Sequence, residues 1–258
     1  MNRKEISINL GDYPTELHSL LDGARVYDSS CSPEARVIFI DRDGGYYLKS
    51  APIGSLASEA ALDRYFGERG LGAKVISYLS LDSDWLLTER VRGEDCTHRE
   101  YLSDPVRLCD TYAAILRELH SLDGRDCPVQ NRLDGYFATA ERNFRAGAFD
   151  PSYADGVFTI DEAHRVVCEG RSILKADTLI HGDYCLPNVM LDSWRFSGFI
   201  DLGNGGIGDR HIDLFWGAWT LRFNLGTDEY RERFFDAYGR ELVCDDALRV
   251  VAAAECFG

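Results

Sequence analysis

The chain contains no run approaching the roughly 18 consecutive apolar residues that a membrane-spanning helix requires. Met1 to Leu10 likewise holds no apolar stretch of signal-peptide length, so a cytoplasmic protein is expected. No CxxC occurs. The eight cysteines are scattered, the closest pair, Cys244 and Cys256, standing twelve residues apart, and they read as reduced, packed thiols rather than as a zinc or redox centre. Positive charge is short: 28 Lys and Arg face 43 Asp and Glu, a formal net charge of −15. That balance argues against nucleic acid or an anionic membrane as a partner and is compatible with a cationic substrate. A Walker A sequence is missing too, which removes the simplest phosphate-binding loop. Lysine itself is scarce. Only Lys4, Lys49, Lys74 and Lys175 occur, so a lysine set among apolar strand residues stands out.

What is present divides in two. Arg36–Asp41 and Tyr46–Lys49 are β-branched or aromatic runs separated by Arg42-Asp-Gly-Gly45, a hairpin signal. A helix is expected over Ser55–Glu68, with Leu62, Tyr65 and Phe66 on its apolar side, then strands over Val75–Leu81 and Trp85–Val91. Beyond Arg92-Gly93 the pattern turns helical. Asp104-Pro105 reads as an N-cap followed by a first-turn proline. The helix after it has two apolar sets, Leu108, Tyr112, Ile115, Leu119 and Val106, Cys109, Ala113, Leu116, as a central buried helix requires. Residues 124–178 carry weak helical patterns; further helices are expected over Asp209–Asn224, Glu229–Tyr238 and Asp245–Cys256. The fold class is α+β, with a small β-rich N-terminal lobe over residues 1–91 and a larger, mainly helical C-terminal lobe over 92–258. Most of the acidic excess falls in the second.

The segment richest in chemistry runs from Thr178 to Asp201. An apolar strand ends at His181-Gly182, Asp183 heads a loop, Asn188 follows five residues later, and a hairpin then leads to Asp201. Phosphoryl transfer explains these residue types at these spacings, the arrangement protein kinases use: a carboxylate to orient the attacking hydroxyl, then an amide oxygen and a second carboxylate to hold Mg²⁺ against the phosphates. Lys49 suits the remaining role, a point charge on the phosphates, with Glu59 as its helical partner and Glu68 as the weaker alternative. Ser29-Ser-Cys-Ser32-Pro33 is a candidate phosphate-covering loop.

These residues carry a resemblance. His181-Gly-Asp-Tyr-Cys-Leu-Pro-Asn188, Gly198-Phe-Ile-Asp201 and Asp209-Arg-His-Ile-Asp213 resemble the aminoglycoside 3′-phosphotransferases. The likeness extends through Ser32-Pro33, Tyr47-Leu-Lys49, Glu59 and Glu255-Cys-Phe257. It implies a two-lobed, protein-kinase-like fold that binds ATP, or alternatively GTP, with Mg²⁺ in an interlobe cleft. It further implies Asp183 as catalytic base, Asn188 and Asp201 as metal ligands, and Lys49, Glu59, Ser32 and the backbone of Thr88, Glu89 and Arg90 as nucleotide contacts. His181 would brace the loop. Asp209, Glu255 and Phe257 would contact a small, cationic hydroxyl acceptor; the oligomeric state is left open. The sequence departs from the family where an Arg commonly follows the metal-binding Asp-x-Gly (here Asn204), at Phe223 and Ala254, where acidic residues are expected, and at Gly258, which follows the aromatic Phe257.

Three rival readings stand beside this one: a related kinase for another antibiotic, amino sugar or choline-like alcohol; a nucleotide-binding pseudokinase; and a metal-dependent hydrolase using His181, Asp183 and Asp201. Gly203-Asn-Gly205-Gly-Ile-Gly208 spells GxGxxG, but a dinucleotide site needs a βαβ unit around it, and the chain downstream reads as helix.

Overall fold

The computed structural model describes residues 4–31 and 35–258. Two compact units emerge, one of the described residues up to Arg92 together with Gly198–Gly203, the other of Gly93–Ser197 and Asn204–Gly258.

The first unit is built on a six-stranded antiparallel sheet of β1 (Lys4–Ile6), β2 (Arg25–Asp28), β3 (Arg36–Asp41), β4 (Tyr46–Ala51), β5 (Val75–Ser80) and β6 (Asp84–Glu89), ordered β1-β2-β3-β4-β6-β5. Two helices accompany it, α1 (His18–Leu21) and α2 (Ala57–Glu68). The β3–β4 hairpin turns at the expected Arg42-Asp-Gly-Gly45, where Asp43, Gly44 and Gly45 all have positive φ. Strand β4 runs two residues beyond the expected end, because Ser50 and Ala51 still pair with Trp85 and Asp84 of β6. Lys49 therefore lies inside a strand, paired with Val37 on one side and Leu86 on the other. Alternation along β4 then separates two faces. Leu48 joins Ile38, Ile40 and Leu87 in one buried cluster, while Leu86, the register partner of Lys49, packs with Leu56 and Ala60 at the start of α2. Lys49 is thus aimed at the helix that carries Glu59.

Helix α2 begins two residues later than the pattern suggests. No side chain of its own caps it; instead the buried Asp84 of β6 accepts the Leu56 N–H at 2.9 Å, with Tyr78 Oη and Ser80 Oγ donating to the same carboxylate. A carboxylate there also complements the positive end of the helix. Burial would push its pKa up, but the donors outweigh it and lower the group to about 2.

The second unit is mainly helical. Its elements are β7 (Glu94–Asp95), α3 (Arg99–Leu102), α4 (Pro105–His120), α5 (Arg132–Ala146), α6 (Ile160–Gly170), β8 (Thr178–Ile180), β9 (Val189–Asp192), β10 (Arg195–Phe199), β11 (Gly206–Gly208), α7 (Arg210–Leu225), α8 (Tyr230–Tyr238) and α9 (Asp245–Glu255). Strand β10 crosses into the first unit at Ser197/Gly198. Asp104 caps α4 by accepting the Arg107 N–H, and seven α4 residues from Leu108 to Leu119 are buried; Val106, in the first turn, is exposed. The weakly patterned 124–178 stretch supplies α5 and α6, whose buried residues Phe137 and Val167 share a core with Val250, Val251 and Phe257. The GxGxxG run forms β11, which pairs antiparallel with β8 and leads into α7; a βαβ unit is absent among the described residues, so the dinucleotide reading fails. No helix among them is long and apolar enough to cross a membrane.

One reciprocal contact ties α4 to the loop after β8. Tyr112 Oη donates to the Tyr184 carbonyl at 2.6 Å, Tyr184 Oη donates to the Tyr112 carbonyl at 2.8 Å, and the two buried rings stack with centroids 4.3 Å apart. Tyr112→Phe removes this donor from a buried carbonyl and should lower stability by about 1 kcal/mol, measured as a shifted urea midpoint at constant slope.

Candidate active site

In the first unit, the Lys49 ammonium donates to both oxygens of Glu59, at 2.7 and 2.9 Å, and to Asp201 Oδ1 at 3.1 Å. Glu68, the alternative partner, is exposed at the far end of α2. Burial works against the Lys49 charge, but the neighbouring Asp201 and Glu59 carboxylates prevail and hold its pKa above the ordinary lysine value. At Glu59 burial wins over the attraction of Lys49 and pushes the carboxyl up. Asp63, one turn further along α2 and equally buried, rises to about 8 through burial and the Glu59 charge, so it is protonated at neutral pH.

Asp201 sits at the end of the hairpin that contains β10, with its side chain 55% exposed and a left-handed backbone, φ 59°. Such a conformation in a residue other than glycine costs on the order of 1–3 kcal/mol and clusters at functional positions. The strain holds a carboxylate that offers one oxygen to Lys49 while most of its surface remains open to a ligand.

In the second unit, the strand β8 ends in His181-Gly-Asp183. Gly182 has φ 84°, and a Cβ there would lie 1.8 Å from the Asn204 carbonyl oxygen, so glycine is required on both counts. Fully buried Asp213, from the first turn of α7, accepts the N–H groups of His181 and Gly182, both at 2.7 Å, and faces His120 Nε2 at 3.0 Å. His181 is buried, and its Nδ1 accepts the Asp183 N–H at 3.3 Å. Asn188 Nδ2 donates to Asp183 Oδ2 at 2.9 Å and to its carbonyl at 3.0 Å. The amide orientation leaves Asn188 Oδ1 without a hydrogen bond from any described residue. The free Asn188 Oδ1 is a hard oxygen of the kind that suits Mg²⁺, as is the exposed carboxylate of Asp201 in the first unit.

Asp183 also lines a cavity of about 330 Å³ with Arg132, Tyr136, Asn204, Trp216, Glu255 and Phe257 among its walls. Glu255 Oε1 accepts from Tyr136 Oη at 2.8 Å and Trp216 Nε1 at 3.2 Å. Burial pushes Glu255 up to about 7, against those two donors, and the Asp183 charge adds to the rise. Arg132 Nη2 donates to Asn204 Oδ1 at 2.6 Å, so a guanidinium arrives from α5 beside the position where the sequence carries Asn rather than Arg.

Some expectations need correction. Asp209 is not placed for a substrate: it is buried, caps α7 through the His211 N–H and ring Nδ1, and accepts the Lys175 N–H at 2.6 Å. The Phe257 ring is packed against Phe144 and Phe149, so it forms the cavity's rear wall rather than a free contact. The N–H groups of Glu89 and Arg90 are already taken by the Lys74 and Gly45 carbonyls, and Thr88 pairs with Tyr47 and Val75. The first N–H beyond β6 that donates to no described residue is that of Val91, one position past the expected segment. Ser32 lies outside the described residues. Phe223, 70% exposed and stacked on Trp219, stands apart from the cavity walls. Reasoning from sequence assigned no role to Asp213, Arg132, Tyr136, Trp216 or Val91. Asp213 had a signal in the Asp209-x-x-x-Asp213 spacing; Arg132 and Tyr136, four apart on a weakly patterned helix, had none.

The fold and these side chains define a kinase-type phosphotransferase, and the chain belongs to the phosphotransferase enzyme family, whose profile matches residues 27–252. It is 48% identical, over 100% of its length and 99% of the relative's, to a probable aminoglycoside 3′-phosphotransferase of Lactococcus lactis subsp. lactis (strain IL1403). Among solved structures it is similar to an aminoglycoside-3′-phosphotransferase of type VIII, at 26% identity and TM-score 0.72 with 96% of each chain covered. It is also similar in fold to aminoglycoside phosphotransferase APH(3″)-Id of Streptomyces rimosus in complex with ADP and streptomycin, at 23% identity and TM-score 0.72, with 97% and 99% covered.

Asp213→Ala strands two buried N–H groups at the head of the loop. Stability should fall by roughly 3 kcal/mol in chemical denaturation, and kcat should fall more than the nucleotide KM changes.

Proposed function

We infer that the protein transfers the γ-phosphoryl group of ATP to a hydroxyl of an aminoglycoside. The observation that carries this reading is the position of Asp183, which is held by Asn188 and the His181 ring and forms part of the wall of a cavity that also bears Glu255. Asp183 would orient the acceptor O–H and take its proton as the new O–P bond forms and the bond to the leaving ADP oxygen breaks. Loose transition states of this kind demand little basicity, so positioning is the larger contribution. Lys49, kept in place by Glu59, would neutralise phosphate charge. Asn188 and Asp201 would hold Mg²⁺, which when bound screens the charge developing on the phosphates. The relative's name and the streptomycin complex of the similar structure support an aminoglycoside as acceptor. Glu255 adds an acidic group suited to a polyamine, while Arg132 in the same wall favours a second reading, a related kinase whose acceptor differs from the usual drugs.

A coupled assay with Mg²⁺ and ATP against kanamycin, neomycin, streptomycin, an amino sugar and choline decides between them. Turnover on an aminoglycoside that drops by about 10²–10³ in Asp183→Asn is the expected outcome. Turnover restricted to the amino sugar or choline would establish the second reading, and nucleotide binding without turnover anywhere would make the chain a pseudokinase.

Glu255 adds a pH signature. With its carboxyl titrating at about 7, the ionised form that attracts a cation is lost as pH falls through that value. The KM for a cationic acceptor should therefore rise below pH 7 in the native protein. In Glu255→Gln it should be higher at pH 8 and lack that inflection. Because the folded value exceeds the ordinary glutamate value, this group favours the folded state below about pH 4.5 and loses that contribution as pH rises through 7.

A further inference from the structure

Away from these groups, α5 and α6 bring together a glutamate, a histidine and a cysteine that the phosphotransfer chemistry does not use. His164 and Cys168 stand four apart on α6 and so share a face, with His164 Nε2 3.5 Å from Cys168 Sγ. Glu141 of α5 reaches the same nitrogen, its Oε2 2.8 Å away. The candidate ligand atoms of all three residues lie within 4.8 Å of one another.

We propose that Glu141, His164 and Cys168 form a binding site for a zinc-class divalent cation that staples α5 to α6. Typical bond lengths are about 2.0–2.1 Å to imidazole nitrogen, 2.3 Å to thiolate and 2.0–2.2 Å to carboxylate. A tetrahedral centre with those bonds sets neighbouring ligand atoms roughly 3.3–3.6 Å apart, which the His164–Cys168 separation already matches. The Glu141 oxygen must withdraw by about half an ångström to fit the same geometry, and a half-exposed side chain has room to do so. The imidazole is oriented in advance. Its ring lies flat against Phe144, centroids 3.6 Å apart and planes within 5°, and Phe144 is itself packed against the core of the unit. Helix α6 is fixed at its start by a capping box between Thr159 and Glu162, which sets the rotation of its His-Cys face. Glu141 gives its other oxygen to Arg145, which keeps the carboxylate beside His164. The three side chains leave the fourth tetrahedral position to water. Binding replaces the thiol proton of Cys168 with the metal and releases that proton to solvent.

Cobalt(II) tests this with a readout independent of phosphotransfer. Titrated into the reduced, metal-free full chain, Co²⁺ should give a thiolate-to-metal charge-transfer band in the near ultraviolet and visible bands of tetrahedral intensity, both displaced by one equivalent of Zn²⁺. The charge-transfer band should vanish in Cys168→Ser, weaken at least tenfold in affinity in His164→Gln, and persist in Cys31→Ser and Cys244→Ser, which alter the other exposed cysteines. Zinc in hundredfold excess over its Kd should raise the Tm of the native chain by several degrees and leave Cys168→Ser unmoved. Equal melting of native and variant chains in EDTA shows that the substitutions do not merely unfold the protein. No band in the native chain, or a band that survives Cys168→Ser, overturns the proposal.

Discussion

A lysine ammonium drawn most of the way out of water must be paired, and the first unit is arranged around meeting that demand. Desolvation alone would drive Lys49 toward neutrality, where it would be useless as a phosphate contact. Two carboxylates reverse this, and each depends on a different part of the architecture. Glu59 is brought in by a helix whose start is set by a carboxylate from the neighbouring strand, Asp84 on Leu56. Asp201 is brought in by a chain segment that returns from the second unit after more than a hundred residues and arrives in a left-handed conformation. Removing either acid would leave the other with an altered share of one charge, and removing the lysine would leave Glu59 buried and unpaired, the costlier way to break such a pair.

The loop around Asp183 is held by a different logic. Tyr184 and Leu186 are buried, the N–H groups of His181 and Gly182 are collected by a single buried acid, Asp213, and the Tyr184 carbonyl accepts from Tyr112 on the central helix. His120 extends that network to Tyr238 on α8, so three helices restrain a short loop. The role proposed for Asp183 calls for this stiffness, since small misplacements of a positioning group are expensive in rate. The cavity beside it is more mixed. Its acid, Glu255, has been desolvated until it titrates near neutrality, and its guanidinium, Arg132, is tethered to Asn204. Charge of both signs in one wall makes acceptor choice a matter of geometry as well as of attraction.

Several sequence-based expectations failed for reasons that lie in long-range structure. Asp209 follows a turn-rich segment and precedes a helix, and from the sequence alone a cap and a substrate contact look the same; burial and the Lys175 and His211 donors identify the cap. Phe257 was expected as a substrate contact from the family resemblance; its ring belongs to the core shared by α5, α6 and α9 and meets the cavity only as part of its wall. In the Thr88–Arg90 segment the N–H groups of Glu89 and Arg90 are taken by the Lys74 and Gly45 carbonyls, partners remote in the chain.

By itself the sequence determined the local elements, because hairpin, cap and alternation signals are local, and it pointed to phosphoryl transfer, because Lys, Glu, Asp, Asn and Asp stand in the order that kinase-type enzymes use. The strands around Lys49, the helix of Glu59 and the Asp183–Asn188 spacing are all of this kind. Only the tertiary structure decided what surrounds those groups: that Asp63 becomes a neutral acid beside Lys49, that Asp213 holds the loop, that Arg132 and Tyr136 enter the cavity wall, and that Glu141 meets His164 and Cys168. Each of these rests on burial or on contact between residues remote in the chain. Desolvation and long-range proximity are properties of the packed chain, and they leave no local pattern to read.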